Sequence, residues 1–286
     1  MAGPRRAAVL GSPVAHSLSP VLHAAAYEAL GLHGWTYERR ECTADDLPGL
    51  VGGLDAAWVG LSVTMPGKRA ALAYATSAST RARRLGVANT LVRTDAGWSA
   101  DCTDVDGIAG ALRGAGIADP VGSQDVVVLG AGATASAAVG ALDALGTGDV
   151  QLVVRDPARA AETTAVVDAY GMRGLVRTFD GLDEVDLSST TALVNTTPAG
   201  AVDAVTADRL VDGLPAHAVV LDAIYHPWPT PLAAAAERRG LAVATGLDML
   251  LHQAFGQVEQ FTGCSAPRRE MHAALVRATG FDVRPP

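Results

Sequence analysis

Short apolar runs separated by glycine, proline and polar clusters fill the chain, which is the pattern of strands alternating with helices. Ala7-Ala8-Val9-Leu10 reads as a strand broken by Gly11-Ser12-Pro13. Pro20 then suits the first turn of a helix over residues 21–30 that stops at Gly31. Residues 35–42 and 58–64 read as two further strands, with a helix in the polar, proline-containing segment 43–54 between them. Lys68 starts a helical run to Ala75, residues 85–92 carry Asn89 and Thr90 inside an apolar strand pattern, and a helix follows Asp104 as far as Leu112.

The middle of the chain has the sharpest signal. Val126-Val127-Val128-Leu129 makes a short buried strand, and Gly130-Ala131-Gly132-Ala133-Thr134-Ala135 then fits G-x-G-x-x-A before a helical run over 136–145. In a dinucleotide-binding turn, Gly130 permits the tight bend and Gly132 lets the backbone approach a pyrophosphate. Ala135 keeps the helix close to the strand, so that the N–H groups of the helix start face the anion. Alternating elements plus this turn in mid-chain predict an α/β protein of two domains, a size that 286 residues can bury.

Composition narrows the partners. A formal charge of −8 and a pI near 5.3 come without any basic run, which argues against nucleic acid and anionic membrane surfaces and for a small-molecule substrate. No apolar stretch approaches the length of a membrane span, and residues 1–10 lead into strand-like sequence without a signal-peptide core, so a cytoplasmic location is expected. Cys42, Cys102 and Cys264 are odd in number and widely spaced, suggesting neither a disulfide framework nor a zinc site.

Several polar side chains have two readings. Ser17 and Ser19 either cap the helix that begins near Pro20 or donate to a carboxylate at its mouth. Lys68 is either a solvated surface charge or, at a strand end with Thr64 nearby, a proton donor. Asn89 and Thr90 need partners that a ligand or turn backbone supplies, and Asp104 is by position the N-cap of the helix that follows it.

Taken in order, HSLSP at 16–20, S-V-T-x-P-x-K ending at Lys68, A-N-T around Asn89, T-D-x-x-G around Asp104 and the G-x-G-x-x-A turn resemble the shikimate dehydrogenase family. The resemblance continues through Asn195-Thr196-Thr197-Pro198-Ala199-Gly200, through D-x-x-Y-x-P-x-x-T-P-L from Asp222 to Leu232, and through G-x-x-M-L-x-x-Q from Gly246 to Gln253. It covers nearly the whole chain. Two departures stand out: the family commonly has Asn where this chain has Ala24 and Cys102.

The resemblance implies reversible, NADPH-dependent reduction of 3-dehydroshikimate to shikimate, a step toward chorismate and the aromatic amino acids, with no metal required. Lys68 and Asp104 match the proton-transferring pair; Ser17 and Ser19 match the hydroxyls that hold the substrate carboxylate, with Tyr225 near the same group. Thr64, Asn89, Asp104 and Gln253 match the groups that read the ring hydroxyls. The cofactor side falls on Gly130, Ala131, Gly132, Ala133, Thr134 and Ala135, on Thr196, Thr197 and Pro198, and on Gly246 and Met249, with Gly246 at the backbone position near the nicotinamide.

Arg155 and Arg159, after a strand over 150–154, align with the pair that holds the NADP phosphate, so NADP is favoured. Asp156 adds a negative charge beside them and keeps NAD as the alternative. The implied architecture is an N-terminal α/β substrate-binding domain of residues 1–103 with 246–286, and a Rossmann-type dinucleotide-binding domain of 104–245. The rival readings are a quinate/shikimate or aminoshikimate dehydrogenase using NAD and, from another class, a non-catalytic dinucleotide-binding sensor. Monomer and homodimer are both compatible with the sequence.

Overall fold

The computed structural model describes residues 4–118 and 125–286. In chain order it contains β1 (Arg5–Gly11), α1 (Ser19–Ala29), β2 (Trp35–Glu41), α2 (Leu47–Gly52), β3 (Trp58–Val63) and α3 (Lys68–Tyr74). There follow β4 (Ser77–Ala78), α4 (Thr80–Leu85), β5 (Thr90–Thr94), β6 (Gly97–Asp101) and α5 (Asp104–Gly114). Next come β7 (Asp125–Leu129), α6 (Ala133–Ala144), β8 (Asp149–Val154), α7 (Ala161–Ala169), β9 (Arg173–Thr178) and β10 (Ala192–Asn195). The last elements are α8 (Ala204–Gly213), β11 (Val219–Asp222), α9 (Pro231–Arg238), β12 (Ala242–Thr245), α10 (Gly246–Thr262) and α11 (Arg268–Thr279). They form two compact units, one of Met1–Asp106 with Leu250–Pro286 and one of Gly107–Met249, the divisions falling within α5 and α10.

The first unit is a mixed sheet of order β2-β1-β3-β5-β6-β4. β1 is parallel to β2 and β3, whereas β5 is antiparallel to β3 and β6. Strand direction therefore gathers the chain at one end of the sheet, where β1, β3 and β6 finish and β5 begins. The bonds Thr64 N to Leu10 O (2.8 Å), Val63 N to Asn89 O (2.7 Å) and Asn89 N to Asp101 O (3.1 Å) close that end. On one face, His23 of α1 stacks on Tyr37 of β2 with ring centroids 3.9 Å apart and also on Phe261 of α10 at 5.5 Å. Burial pushes the imidazole pKa down to about 3, so the ring packs as a neutral aromatic.

The second unit is a fully parallel sheet of order β12-β11-β10-β7-β8-β9. Its inner strands β7, β8, β10 and β11 are rich in Val and Leu, and Val126 to Leu129, Leu152, Val153, Leu193 and Val194 have no exposed surface, as in a sheet covered on both faces. The strand order reverses between β7 and β10, the doubly wound arrangement in which ligands bind outside the carboxyl ends of the strands. Among the described residues no helix is long and apolar enough to cross a membrane.

Three local expectations change. The strand expected over 85–92 begins only at Thr90, because Ser79 Oγ accepts from Ala82 N at 3.1 Å to cap α4 and Gly86, at φ +68°, ends it. The apolar Leu85, Val87 and Ala88 are buried as a helix end and its exit rather than as strand. At α1 the N-cap position is Leu18, which offers no side-chain cap; Ser17 Oγ accepts from the N–H of Ser19, the first helical residue, so Ser17 serves the helix start and Ser19 does not. Asp104 is the first residue of α5 rather than its N-cap, and its carboxylate has the long-range partners described below.

Gly60 on the central strand β3 faces the Phe261 ring of α10, and a Cβ there would overlap the ring. Gly60→Ala is expected to destabilise the protein by about 1–3 kcal/mol, the range for overpacking. A urea unfolding midpoint equal to that of the parent would show that Phe261 is free to give way.

Candidate active site

Lys68 and Asp104 meet at the gathered end of the first sheet. The turn after β3 is closed by Gly67 N donating to Thr64 O at 2.9 Å, which sets Lys68 at the start of α3. The short link Cys102-Thr103 after β6 sets Asp104 at the start of α5. Lys68 Nζ lies 2.5 Å from Asp104 Oδ2, with only 11% and 7% of the two side chains exposed. Burial is the largest influence on the Lys68 ammonium and acts downward; the charge of Asp104 and the hydrogen bond to it act upward. The net pKa is above the ordinary lysine value.

Asn89 and Gln253 complete the cluster. Asn89 Nδ2 donates to Asp104 Oδ1 at 2.9 Å and to Thr103 Oγ1 at 3.0 Å, and it is 3.4 Å from Gln253 Oε1. Gln253 is held in turn by its Nε2 donating to Leu250 O at 2.9 Å. Amides, hydroxyls and one ion pair thus converge in a largely buried position, an arrangement suited to moving one proton and to reading hydroxyl groups.

Behind this cluster, Asp101 fixes the turn that carries Asp104. Ser79 Oγ donates to Asp101 Oδ1 at 2.6 Å, the Arg81 guanidinium grips both oxygens at 2.7 and 2.6 Å, and Gln260 Nε2 donates to Oδ2 at 2.8 Å. Burial raises the Asp101 pKa, but these donors outweigh it and hold the carboxyl down to about 2.

Ser17 and Ser19 lie in the link after β1, with Ser12 N donating to Met65 O at 3.0 Å. Ser19 is buried, Ser17 is half-buried, and Ser17 Oγ accepts from Ser19 N at 3.3 Å. Arg39 donates to Ser17 O from Nε (2.8 Å) and Nη2 (2.6 Å). Thr64 packs against Gly11, where a Cβ would collide with its side chain, so the glycine lets the turn after β3 sit beside the end of β1. No hydrogen bond among the described residues joins Ser17, Ser19 or Thr64 directly to the Lys68–Asp104 cluster.

In the second unit, Gly130 has φ +104°, and a Cβ on it would lie 2.7 Å from Thr196 Oγ1. Thr196 in turn donates to Leu129 O from N (2.9 Å) and Oγ1 (2.8 Å), which joins the turns after β7 and β10 at the reversal of strand order. Gly132 is the N-cap of α6 with no side-chain cap, and a Cβ there would meet nothing within 4 Å. Ala131 O accepts from Thr163 Oγ1 at 3.0 Å, Ala133 and Thr134 open the helix, and Ala135 is fully buried against the sheet. Open space in front of uncapped amides fits a pyrophosphate.

After β8, Arg155 and Arg159 are exposed, and neither guanidinium makes an ion pair or side-chain hydrogen bond among the described residues. Asp156 Oδ1 accepts from Ala158 N at 3.0 Å and so caps its own short turn. Thr197 is held by Asn195, whose Oδ1 accepts from Thr197 N (3.1 Å) and Oγ1 (2.6 Å), while Pro198 is exposed. Asn195 Nδ2 donates to the buried Asp222 Oδ1 at 3.0 Å, and Thr230 Oγ1 donates to Oδ2 at 2.6 Å. Gly246 packs on the backbone of Ala223 and Ile224 so closely that a Cβ would overlap it; Met249 is buried and Tyr225 half-buried.

Of the two departures, Ala24 is exposed on α1, whereas Cys102 is fully buried beside the cluster. Burial, then the charge of Asp104, push its thiol up to about 12, so it sits there as a neutral group. Among the described residues no group of three or more His, Cys, Asp or Glu is placed to hold a metal ion. Sequence reasoning did not single out Gln257, Ser62, Tyr37, Asp101 or Arg81. For Gln257 a signal existed, since it lies four residues after Gln253 and so on the same helix face, where the neighbours Ala254 and Val258 are apolar and buried.

Residues 9–91 match the shikimate dehydrogenase substrate binding domain, and residues 246–276 match the shikimate 5'-dehydrogenase C-terminal domain. The shikimate dehydrogenase (NADP(+)) of Microcystis aeruginosa is 34% identical over 278 residues, covering 94% of this chain and 95% of its own. Among solved structures, Mycobacterium tuberculosis shikimate dehydrogenase superposes with a TM-score of 0.87 at 52% identity, covering 96% of this chain and 100% of the other. Shikimate 5-dehydrogenase from Thermus thermophilus, in complex with NADP(H) and shikimate, superposes at 0.81 with 33% identity, covering 96% and 99%.

The Asp101 anchor makes a stability prediction. A carboxyl held at about 2 in the fold, against an ordinary value of 3.8, stabilises the fold above pH 4 or so, and that contribution fades as pH falls toward 2. Asp101→Asn should therefore melt below the parent at neutral pH, with the gap closing on acidification. A gap that stays constant down to about pH 2 would remove Asp101 from that role.

Proposed function

The chain belongs to the shikimate dehydrogenase family, and from that premise we infer that it catalyses the NADP-dependent, reversible reduction of 3-dehydroshikimate to shikimate, with Lys68 and Asp104 as the proton-transferring pair. The observation that carries the assignment of residues is the 2.5 Å contact between Lys68 Nζ and Asp104 Oδ2, ringed by Asn89, Thr103 and Gln253. When bound, the dinucleotide supplies or accepts the hydride. The remaining steps belong to the protein.

Lys68 Nζ hands its proton to the substrate oxygen that becomes the alcohol, and takes one back in the oxidative direction. Asp104 keeps the ammonium charged until that moment, and the raised pKa of Lys68 suits a donor that must be loaded at neutral pH. Asn89, Gln253 and Thr64 read ring hydroxyls, where an unmatched substrate would leave buried amides unpaired. Ser17 and Ser19 hold the carboxylate, with Arg39 fixing the Ser17 carbonyl behind them. In the second unit, the turn from Gly130 to Ala135 would hold the pyrophosphate at the start of α6. Arg155 and Arg159 would hold the additional phosphate of NADP, and Thr196, Thr197, Pro198, Gly246 and Met249 would border the nicotinamide half.

The direct test is the initial rate of dinucleotide reduction with shikimate, run with NADP and NAD in parallel. A shikimate-dependent rate favouring NADP is expected; no rate with either would overturn the activity, and a preference for NAD would overturn the roles of Arg155 and Arg159. Lys68→Met should lower turnover by about 10²–10⁴-fold while shikimate still binds, the range for loss of a general acid–base. Unchanged turnover would take the proton transfer away from Lys68.

Oxidation needs the neutral amine, so kcat/KM for shikimate should rise about tenfold per pH unit below the pKa of Lys68. In Asp104→Asn the charge and hydrogen bond that raise this pKa are gone, and burial, the largest influence, acts downward. The alkaline rise should then move to lower pH. A profile that stays in place would separate Lys68 from the titration.

A further inference from the structure

We propose that Thr90 and Gln257 are positioning residues that fix which way the Asn89 amide faces and thereby keep Asp104 paired with Lys68. The proposal rests on the activity inferred above and concerns two residues that do not reach the reacting groups. Thr90 has no exposed surface and Gln257 is 1% exposed.

The direction of the hydrogen bonds is determined, atom by atom, from one backbone carbonyl. Gln257 Nε2 donates to Asn89 O at 3.1 Å, and because a carbonyl only accepts, the orientation of the Gln257 amide is settled. The same Nε2 donates to Thr90 Oγ1 at 3.1 Å. Gln257 Oε1 must then accept, and it does so from Ser62 Oγ at 2.7 Å. With its proton committed there, Ser62 accepts from the Tyr37 hydroxyl at 2.6 Å.

On the other side, Thr90 Oγ1 accepts from Gln257 and sends its single proton to Asn89 Oδ1 at 2.8 Å. Thr103 N donates to the same Oδ1 at 2.8 Å. These donors, with the Thr103 hydroxyl as a third at 3.2 Å, turn Nδ2 toward Asp104 Oδ1, 2.9 Å away, which leaves Oδ2 for Lys68. An Asn89 amide facing the other way would set its oxygen against the carboxylate and leave buried donors without acceptors. Asn89 is 3% exposed, so water is not at hand to repair the mismatch.

The test compares Thr90→Val, which removes the hydroxyl at nearly constant volume, with Thr90→Ser, which restores it. Two readouts are used: turnover per folded site, and calorimetric binding of shikimate to the dinucleotide-free protein. Thr90→Val should lose about fivefold or more in both, the effect of one buried hydrogen bond, and Thr90→Ser should recover most of the loss. Gln257→Met should behave like Thr90→Val, and the double variant should be no worse than either single, because both act through one amide. Equal values for the Val and Ser variants, or losses that add in the double variant, would overturn the proposal. The parent protein in the same series keeps the two questions apart: if it neither binds nor oxidises shikimate, the inferred activity fails, whereas an active parent with an indifferent Thr90→Val sinks the positioning role alone.

Discussion

A buried ammonium paired with a buried carboxylate is costly to desolvate, and the first unit is arranged around offsetting that cost. Lys68 and Asp104 face each other at 2.5 Å, yet the pair alone would leave one carboxylate oxygen without a partner. Asn89 supplies that partner, and the direction of its amide is enforced by donors from Thr90 and Thr103. The pair persists because the hydrogen bonds around it are satisfied in one sense only.

Sheet direction makes this possible. Lys68 follows β3, Asn89 precedes β5 and Asp104 follows β6, and only an antiparallel β5 brings those three positions to the same end of the sheet. The Asp101–Arg81 fork then anchors the end of β6, so that the position of Asp104 does not depend on its bond to Lys68 alone. Helix α10 contributes Gln253 to the cluster and Gln257 beneath it, and the missing side chain of Gly60 lets Phe261 of the same helix close on the sheet. Of the two unusual residues, Cys102 is part of this packed region and Ala24 is not.

The second unit presents its candidate ligand groups by a different physical means. Its candidate phosphate groups are backbone amides at the uncapped start of α6 and two exposed guanidiniums after β8, not buried side-chain networks. Backbone amides bind charge without distinguishing substrates, whereas the amides and hydroxyls of the first unit are suited to distinguishing one polyol from another. Asp156, whose charge beside Arg155 and Arg159 favoured an open choice of dinucleotide, has one carboxylate oxygen engaged with Ala158 N in its own turn.

Local sequence determined the alternation of elements, the glycine turn after β7 and the placing of Lys68 and Asp104 at strand-to-helix junctions, because each depends on residues within a few positions of one another. It misplaced the start of β5, where the serine cap of α4 and the left-handed Gly86 claimed residues whose apolarity suited a strand equally well. It also read Asp104 as a helix cap, since the competing partners Lys68 and Asn89 are 36 and 15 residues away. Of the network beneath the cluster, local sequence offered only the i, i+4 spacing of Gln253 and Gln257 and none of its partners. Ser62 and Gln257 are 195 residues apart, and a second glutamine on the Gln253 face of α10 says nothing about which carbonyl it will meet. Only the tertiary structure decided that, because the direction of a buried hydrogen bond is set by the acceptor that packing brings to it, and here that acceptor is the backbone oxygen of Asn89.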